Sequence, residues 1–353
     1  MKMGGTLLIR ADGNERIGTG HVMRCIALAQ AWRELAGDVF FAFGSASSAM
    51  EGRLASGGMK AAVLNAATGG NTDARKTAAL GREIGASWVA VDGYAFGAAY
   101  VAAVRSGGLP VAQIDDNGVA GRYEAEIVIN ANLYAREDLY PTTGRRTRLL
   151  LGSRFAMIRR EFLERKADRK RVRAEAGRIL VTMGGADPLG LGPTTIRALR
   201  GLATAGVEVR TVVGPASPDE ARCREEMRAA SLRGEVIPAA ENMAEHMAWA
   251  DVAVAAAGST CWEMACLGLP ALLVVAADNQ APIAASLHEA GIALNLGRPD
   301  RTLASRIAAA AEGLLNDAAA RREMRRRGRK LIDGRGAERI VRTLMKRRKG
   351  KVA

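Results

Sequence analysis

Short apolar runs alternate with helical patterns along most of the chain. In the first part, apolar runs predict β-strands near 6–10, 38–43, 60–64, 88–92, 110–114 and 126–130. The clearest helical pattern between them covers 21–36, and its apolar side consists of Val22, Cys25, Ile26, Ala29 and Trp32. Strands that alternate with helices at this spacing are typical of right-handed βαβ units and a parallel sheet.

The alternation stops in a charged segment and then begins again. Residues 145–177 contain only a short apolar segment around 149–158. From 177 onward, further strands are predicted near 178–182, 207–213, 234–237, 251–256, 270–275 and 292–296. The pattern predicts two tandem, doubly wound Rossmann-like α/β domains. Their bounds are 1–155 and 177–334, with a connector at 156–176 and a basic C-terminal helix or tail at 335–353. Because ligands of open α/β sheets bind beyond the carboxyl ends of the strands, a cleft between the domains is the expected site.

The positive charge of the chain is concentrated in two segments. The net charge is +14, but residues 321–351 alone hold 15 Lys and Arg against 3 Asp and Glu, and residues 145–175 hold 12 against 4. The rest of the chain is therefore net acidic. The segment 321–351 has no aromatic residue on which bases could stack. A solvated basic face, or weak adhesion to polyanions, is favoured over specific nucleic-acid recognition.

Cysteine spacing and hydropathy indicate the compartment. The four cysteines are scattered, and none forms a CxxC or Cys/His metal spacing. The longest apolar run, 264–277, contains Gly268 and Pro270 and is too short to cross a bilayer. The N-terminus has no long apolar stretch, so no signal peptide is predicted. We expect a soluble cytoplasmic protein with reduced thiols.

The loop RADGNERIGTGHVMR (10–24) carries one of three histidines in the chain. Gly18-Thr-Gly20 begins like a dinucleotide fingerprint. However, Met23 occupies the position of the third glycine and no acidic residue ends the second strand, so this prediction fails. His21 then lies at a helix start, where the helix dipole disfavours the imidazolium form. A neutral imidazole suits a general base; alternatively, His21 only hydrogen-bonds the loop.

A second glycine-bearing strand end is AAGSTCWE (256–263). Ser259 and Thr260 open a helix there, and its exposed N–H groups and dipole suit a diphosphate. Glu263 on the first turn could accept hydrogen bonds from ribose hydroxyls. The alternative needs no ligand, because Thr260-x-x-Glu263 also has the spacing of a capping box.

A third such strand end is TMGGADP (182–188). Its glycines could let the backbone approach a ligand closely. Alternatively, the segment is a tight turn in which Asp187 caps the next helix.

Aspartates recur at predicted strand ends in the first domain, at Asp92, Asp115 and Asp116. They do not predict a glycosidase carboxylate pair, because adjacent strand residues point to opposite faces. No histidine accompanies them at metal-ligand spacing. His246 and His288 lie in ordinary helical patterns and are interpreted as structural.

Several motifs, taken in chain order, resemble one family. They are R-x-D-G-N-x-x-I-G-T-G-H-V-M-R (10–24), D-G-Y (92–94), I-D-D-N (114–117), N-A-N-x-Y-A (130–135), F-A-M-I-R-x-E-F (155–162), M-G-G-A-D (183–187), A-A-G-S-T-x-W-E (256–263), D-N-Q (278–280) and I-D-G-x-G-A-x-R (332–339). The chain resembles the UDP-2,4-diacetamido-2,4,6-trideoxy-β-L-altropyranose hydrolases of pseudaminic acid biosynthesis over roughly 6–340. That family has a GT-B fold like the lipid II glycosyltransferase MurG.

The resemblance implies a reaction and a set of site residues. Water attacks the anomeric carbon with inversion, and UDP and the free sugar leave without a metal or other cofactor. The implied catalytic residues are His21 as the base, Tyr94 beside it and Asn279. The implied substrate-binding residues are Asp12, Gly18, Gly20, Asn132, Arg159, Gly184, Gly185 and Asp187, with Asn242 and Met243 at uracil, Ser259 and Thr260 at the diphosphate, Glu263 at ribose and Gln280 at the sugar.

Two other functions stay open at this point. One is a GT-B glycosyltransferase that uses a UDP-sugar donor, and the other is a polyanion-binding protein on a retired sugar-nucleotide fold. The expected partners are the UDP-sugar and UDP, with nucleic acid disfavoured. A monomer is favoured over an oligomer.

Overall fold

The computed structural model describes residues 5–13, 19–45, 48–118, 121–144, 147–168 and 172–349. The chain divides into two compact units, one formed by 1–159 with 334–353 and the other by 160–333. Each unit is built on one parallel sheet with connecting helices. The predicted fold class, two Rossmann-like α/β domains in tandem, is confirmed.

The first unit contains a seven-stranded parallel sheet. Its strands are β1 Thr6–Ala11, β2 Val39–Phe43, β3 Lys60–Val63, β4 Ala86–Asp92, β5 Val111–Ile114, β6 Ile127–Asn130 and β7 Arg148–Leu151. Its helices are α1 Gly20–Leu35, α2 Ser48–Ser56, α3 Asn71–Glu83, α4 Ala98–Ser106 and α13 Gly336–Lys349. The strands lie in the order β3-β2-β1-β4-β5-β6-β7. β7 overlaps the start of the apolar segment near 149–158, for which the pattern predicted no strand.

Both faces of this sheet are buried. Along β1, Leu7 and Ile9 pack into one core, which includes Val22 and Trp32 of α1, and Leu8 packs into the core on the other face. Alternating side chains of a strand point to opposite faces. A continuous apolar run is therefore what a strand buried on both faces requires.

The basic C-terminal segment belongs to the first unit. α13 packs against α1, and Ile340, Val341 and Leu344 are fully buried in the core that contains Leu7. These three residues recur at helical spacing, so they form the apolar stripe of an amphipathic helix. Arg342 and Lys346, on the other side of the helix, are exposed. The segment that was expected to be a separate helix or tail is thus packed on the first unit through α13.

The second unit contains a six-stranded parallel sheet. Its strands are β8 Arg178–Thr182, β9 Glu208–Val213, β10 Arg233–Pro238, β11 Val252–Ala256, β12 Ala271–Val274 and β13 Ala293–Asn295. Its helices are α5 Arg160–Asp168, α6 Leu191–Ala198, α7 Glu220–Ala229, α8 Met243–Trp249, α9 Thr260–Leu267, α10 Ala281–Glu289, α11 Leu303–Asn316 and α12 Ala318–Leu331. The strands lie in the order β10-β9-β8-β11-β12-β13.

α5 lies in the segment expected to be a connector. It packs against α8 and α9 of the second unit, and the Lys166 ammonium donates to the carbonyl oxygens of Ile332 and Asp333 at 3.2 and 3.1 Å. This part of the chain is thus tied to the end of the same unit. Within the described residues, no helix is both long enough and apolar enough to cross a membrane.

Candidate functional site

The strand order of the first unit defines a crevice position. β1 lies between β2 and β4. The strands that follow β1 in sequence first extend the sheet on one side of it, through β2 and β3, and then on the other side, from β4 to β7. Loops at such a switch point diverge and leave room for a ligand at the carboxyl ends of the strands. Asp92 ends β4, Asp116 lies just after β5, and His21 is the second residue of α1, the helix that follows β1.

His21 and Asp92 form a close pair at this switch point. The Nδ1 atom of His21 lies 2.7 Å from Asp92 Oδ1, and Asp92 is fully buried. Because an ionised carboxylate only accepts hydrogen bonds, we assign the imidazole proton to Nδ1. Nε2 is then the ring nitrogen that can accept a proton, which is the arrangement of the histidine in a catalytic triad.

Arg24 bridges Asp92 to a second carboxylate. Its Nε and Nη2 donate to the two Asp92 oxygens at 2.6 Å each, and its Nη1 donates to both Asp116 oxygens at 2.7 and 2.6 Å. Burial alone would raise the pKa of Asp92, but the charge and hydrogen bonds of Arg24 outweigh it and hold this pKa well below its usual range. Asp92 is therefore an anion throughout the pH range in which a histidine base operates.

Tyr94 and Asn132, both expected from the motifs, lie in the same cluster. The ring of Tyr94 packs edge-on against that of His21, with 5.0 Å between centroids and an interplanar angle of 84°. Tyr94 is 55% exposed, whereas Asn132 is buried and its Nδ2 donates to Asp116 Oδ1 at 3.2 Å. His21 thus has an aromatic side chain open to solvent on one side and a buried polar network on the other.

Gly20 and Arg159 were also predicted site residues of the first unit. Gly20 is the first residue of α1, and Arg159 is buried at the end of the unit. Gly18, the third predicted residue, lies outside the described residues.

Asp12 belongs to a second buried network. Its carboxylate pairs with Arg10 at 2.7 Å and accepts from the Gly44 amide and the Thr68 hydroxyl at 2.7 and 2.6 Å. Arg10 in turn binds both oxygens of Asp73 at 3.0 and 2.9 Å. The network connects the end of β1 with the loops that follow β2 and β3, so its visible role is to hold these loops.

The second unit has its own switch point between β8 and β11. The two glycine-bearing strand ends of this unit follow these neighbouring strands, so they share one edge of the sheet. Gly184 has a φ of +84°, and a Cβ atom built on Gly184 or on Gly258 would meet no atom within 4 Å. Both strand ends therefore carry backbone next to open space.

A neighbouring loop fixes the turn at Gly184 and Gly185. The amide of Ala216 donates to the Gly185 carbonyl at 2.9 Å. A Cβ atom on Gly214 would lie 2.3 Å from the carbonyl oxygens of both Gly184 and Gly185. Gly214, which follows β9, therefore allows the backbones to approach this closely, a requirement that the motif analysis missed.

The helix that follows β11 begins one residue earlier than a Thr260 cap would require. Ser259 is the N-cap and its side chain makes no capping hydrogen bond, so Thr260 is the first helical residue. A capping box needs its hydroxyl residue at the N-cap and its carboxylate at N3, and Glu263 is at N4. Glu263 is buried, with 8% of its surface exposed. Thr260 and Glu263 therefore do not occupy the N-cap and N3 positions of a capping box in this helix.

Two other predicted residues of the second unit do cap helices. Asp187, at φ +42°, accepts from the amides of Leu191 and Gly192 at 2.9 and 2.7 Å. Asn242 is the N-cap of α8, and its Oδ1 accepts from the Glu245 amide at 3.2 Å. These contacts match the capping alternative that the sequence left open for Asp187.

The remaining predicted residues lie at or near the ends of β10 and β12. Met243 begins α8. Asn279 is exposed in a short 3₁₀ turn at Asp278–Gln280. Gln280 accepts from the Ala276 amide at 2.9 Å through its Oε1 atom, so its amide group is held toward the chain that follows β12.

Other groups that could carry chemistry are accounted for. All four cysteines are free and buried. Among the described residues, no group of three or more His, Cys, Asp and Glu side chains could hold a metal ion. His246 lies within α8 and His288 within α10.

Sequence reasoning found His21 but missed its partners. Asp92 and Asp116 stood out only as strand-end aspartates, and Arg24 only as the last letter of a motif. The spacing of Arg24 three residues after His21 was a usable signal, since residues i and i+3 share a helix face. The pairing with Asp92 needs the adjacency of β1 and β4, which a linear pattern does not contain.

The two parallel-sheet units define a GT-B fold. Residues 179–340 match the model of the Glycosyltransferase family 28 C-terminal domain. The chain is 26% identical over 232 residues to the spore coat polysaccharide biosynthesis protein SpsG of Bacillus subtilis strain 168, covering 64% of this chain and 62% of that protein. It is 33% identical over 211 residues to the UDP-N-acetylglucosamine–N-acetylmuramyl-(pentapeptide) pyrophosphoryl-undecaprenol N-acetylglucosamine transferase of Sorangium cellulosum So ce56, covering 57% and 50%. The chain thus spans between half and two thirds of these relatives.

Solved structures share the fold over nearly the full chain. MurG of Acinetobacter baumannii has a TM-score of 0.64 at 18% identity, covering 97% of this chain and 99% of that one. Alr3699/HepE of Anabaena, in complex with UDP-glucose, has a TM-score of 0.63 at 15% identity, with the same coverage of 97% and 99%.

Proposed function

We propose that this protein is an enzyme that breaks the bond between the anomeric carbon and the diphosphate oxygen of a UDP-sugar, with His21 as the general base. The observation that carries the proposal is the His21–Asp92 pair, 2.7 Å apart at the switch point of the first unit. Its Nε2 takes the proton of the attacking hydroxyl group, and Asp92 stabilises the imidazolium that results.

We assign UDP to the second unit. Ser259 and Thr260 at the start of α9, together with the open turn at Gly184 and Gly185, offer N–H groups and a helix dipole to the diphosphate. Glu263 accepts from the ribose hydroxyls. The names of the Sorangium transferase and of the Anabaena complex, which specify a UDP-sugar, support this assignment.

Other predicted residues complete the assignment. Asn242 and Met243 contact uracil, and Asn279 and Gln280 contact the sugar. Charge that develops on the departing UDP is stabilised at the N-terminus of α9, so the leaving group needs less help from a general acid. Four buried free thiols fit a reducing compartment, and we place the enzyme in the cytoplasm.

Two nucleophiles suit this chemistry. The match to a glycosyltransferase family model and the transferase relative support the hydroxyl group of a glycosyl acceptor, which makes the protein a glycosyltransferase. The ordered motifs support water, which makes it an inverting hydrolase of UDP-2,4-diacetamido-2,4,6-trideoxy-β-L-altropyranose. The base, the bond broken and the leaving group are the same in both cases.

One pair of assays tests the base and separates the nucleophiles. His21→Ala should lower turnover by about 10²–10⁴-fold and leave UDP affinity, measured by calorimetry, unchanged. UDP release from the diacetamido sugar nucleotide without any acceptor supports hydrolysis, and release that depends on an added acceptor supports transfer. Normal turnover by His21→Ala would remove the base assignment.

A further inference from the structure

The His21–Asp92 pair is part of a longer network of contacts that links α1 to the ends of three neighbouring strands of the first sheet. It runs from His21 and Arg24 on α1 to Asp92 at the end of β4, then to Asp116 after β5 and Asn132 after β6. Only the first two of these contacts are needed to explain a histidine base. The contacts of Asp116 and Asn132, at the other end of this network, have no role in the chemistry proposed above.

Arg24 sits where it could support or disable the base. Its Nη2 donates to Asp92 Oδ1 at 2.6 Å, the same oxygen that accepts from His21, and it lies 3.1 Å from His21 Nδ1. A guanidinium has only donors. Nη2 is therefore already within hydrogen-bonding distance of the ring nitrogen. If its N–H turned from Asp92 to Nδ1, the ring proton would move to Nε2, and Nε2 could no longer act as a base.

Asp116 holds the guanidinium against that reorientation. Both of its oxygens accept from Arg24 Nη1, at 2.7 and 2.6 Å, on the side of the guanidinium that does not face Asp92. The planar guanidinium is thus held along two edges by two carboxylates, which fixes its orientation.

The backbone at Asp116 is itself immobilised. Its carbonyl oxygen accepts from Asn130 Nδ2 and from the Tyr134 hydroxyl, both at 3.0 Å. The neighbouring Asp115 carboxylate accepts from the amides of Asn117 and Gly118 at 2.7 and 2.8 Å. These contacts fix the backbone that carries the Asp116 carboxylate. The fold therefore determines the position from which Asp116 accepts hydrogen bonds from Arg24.

We propose that Asp116 is a positioning residue that acts through Arg24 to keep the His21 proton on Nδ1. The proposal rests on the role of His21 given above and assigns a purpose to the D-D-N segment at 115–117. Asp116 itself contacts neither the base nor, in this account, the reacting atoms.

Asp116→Asn tests the proposal. We expect kcat to fall by about 10- to 100-fold, the range found when a group that orients a metal-ligating residue is removed. UDP affinity should stay within twofold. The matched control is Asp138→Asn in the same unit, an exposed aspartate that pairs with Arg136 at 3.2 Å, which should keep wild-type kcat. Adding Asp116→Asn to Arg24→Ala should cause no further loss, because residues that act through one another are not additive.

The tautomer gives a readout that does not need substrate. The chain has only three histidines, so imidazole ¹⁵N resonances are few and His21→Gln assigns the one of interest. In the wild-type protein we expect a protonated Nδ1 and an unprotonated Nε2, and in Asp116→Asn a mixture of tautomers. If Asp116→Asn does not fold, Arg24→Lys, which keeps the charge but cannot bridge two carboxylates, should give the same mixture.

The outcomes separate the two proposals. An inactive His21→Ala beside an Asp116→Asn variant with wild-type kcat and an unchanged ¹⁵N spectrum overturns the positioning role and leaves the base in place. A fully active His21→Ala overturns the base, whatever Asp116→Asn does. Additive losses in the Arg24 and Asp116 double variant show that Asp116 does not act through Arg24, and also overturn the proposal.

Discussion

The substitution Asp92→Asn changes the catalytic pair most specifically. The carboxylate of Asp92 accepts from His21 Nδ1 and from two nitrogens of Arg24, all within 2.7 Å. An asparagine amide keeps one acceptor oxygen and replaces the other with a donor. If that donor faces the ring, Nδ1 must accept, and the imidazole proton moves to Nε2.

The expected loss of activity is large. The equivalent change in a Ser-His-Asp triad lowers kcat by about 10⁴-fold because the histidine adopts the wrong tautomer. We expect a loss of about 10³- to 10⁴-fold here, which corresponds to about 4–5.5 kcal/mol of barrier. Two charged hydrogen bonds to a buried site are also lost. At about 1.5–3 kcal/mol each, reduced because Arg24 keeps Asp116, the free energy of unfolding should fall by about 2–4 kcal/mol.

Steady-state turnover and urea unfolding measure the two effects separately. In a His21→Ala background, Asp92→Asn should lower stability but cause no further loss of kcat, because the base is already absent. An Asp92→Asn enzyme that folds and keeps more than a tenth of wild-type kcat would refute the reasoning. It would show that the histidine does not depend on this carboxylate.

Three further predictions concern the second unit and acid stability. Glu263→Ala should weaken UDP binding by about 1.5–3 kcal/mol in calorimetry, and unchanged affinity would remove Glu263 from the ribose. Gly214→Ala should lower stability by about 1–3 kcal/mol and weaken UDP, because its Cβ would collide with the Gly184 and Gly185 carbonyls, whereas Gly201→Ala, whose Cβ meets no atom within 4 Å, should do neither. Burial alone would raise the pKa values of Asp12 and Asp92, but Arg10 and Arg24 outweigh it and lower both. The free energy of unfolding should therefore be retained above about pH 4 and fall as the pH drops toward these lowered values; Asp12→Asn should flatten that fall in urea titrations at pH 7, 4 and 3.

Most of the fold could be predicted from apolar periodicity. Each strand buried on both faces, such as β1 or β11, appears as a short apolar run, and its polar flanks mark its ends. β7 was not predicted, because its short apolar run lies inside a longer charged segment. The packing of α13 on the first unit was not predicted, because the segment is strongly basic. Its apolar residues Ile340, Val341 and Leu344 nevertheless have the spacing of a buried helix face.

The site was less accessible from the sequence. His21 and Ser259 could be found because a helix start after a strand has a recognisable pattern. The network around His21 includes Asp92 at the end of β4 and Asp116 after β5. Their convergence depends on strand order, which has no local signature. Gly214 could not be predicted either. Glycine is required there because the backbone of another loop, at Gly184 and Gly185, leaves no room for a Cβ atom.

Isotope transfer from ¹⁸O-water tests the central claim most directly. The purified protein is given UDP-2,4-diacetamido-2,4,6-trideoxy-β-L-altropyranose or UDP-N-acetylglucosamine, with and without a glycosyl acceptor, and the products are weighed by mass spectrometry. We predict that released UDP never carries ¹⁸O, because the bond broken lies between the anomeric carbon and oxygen. Label then appears in the free sugar when water is the nucleophile, and in neither product when an acceptor is used. Incorporation of ¹⁸O into UDP would place the attack at phosphorus and contradict the account.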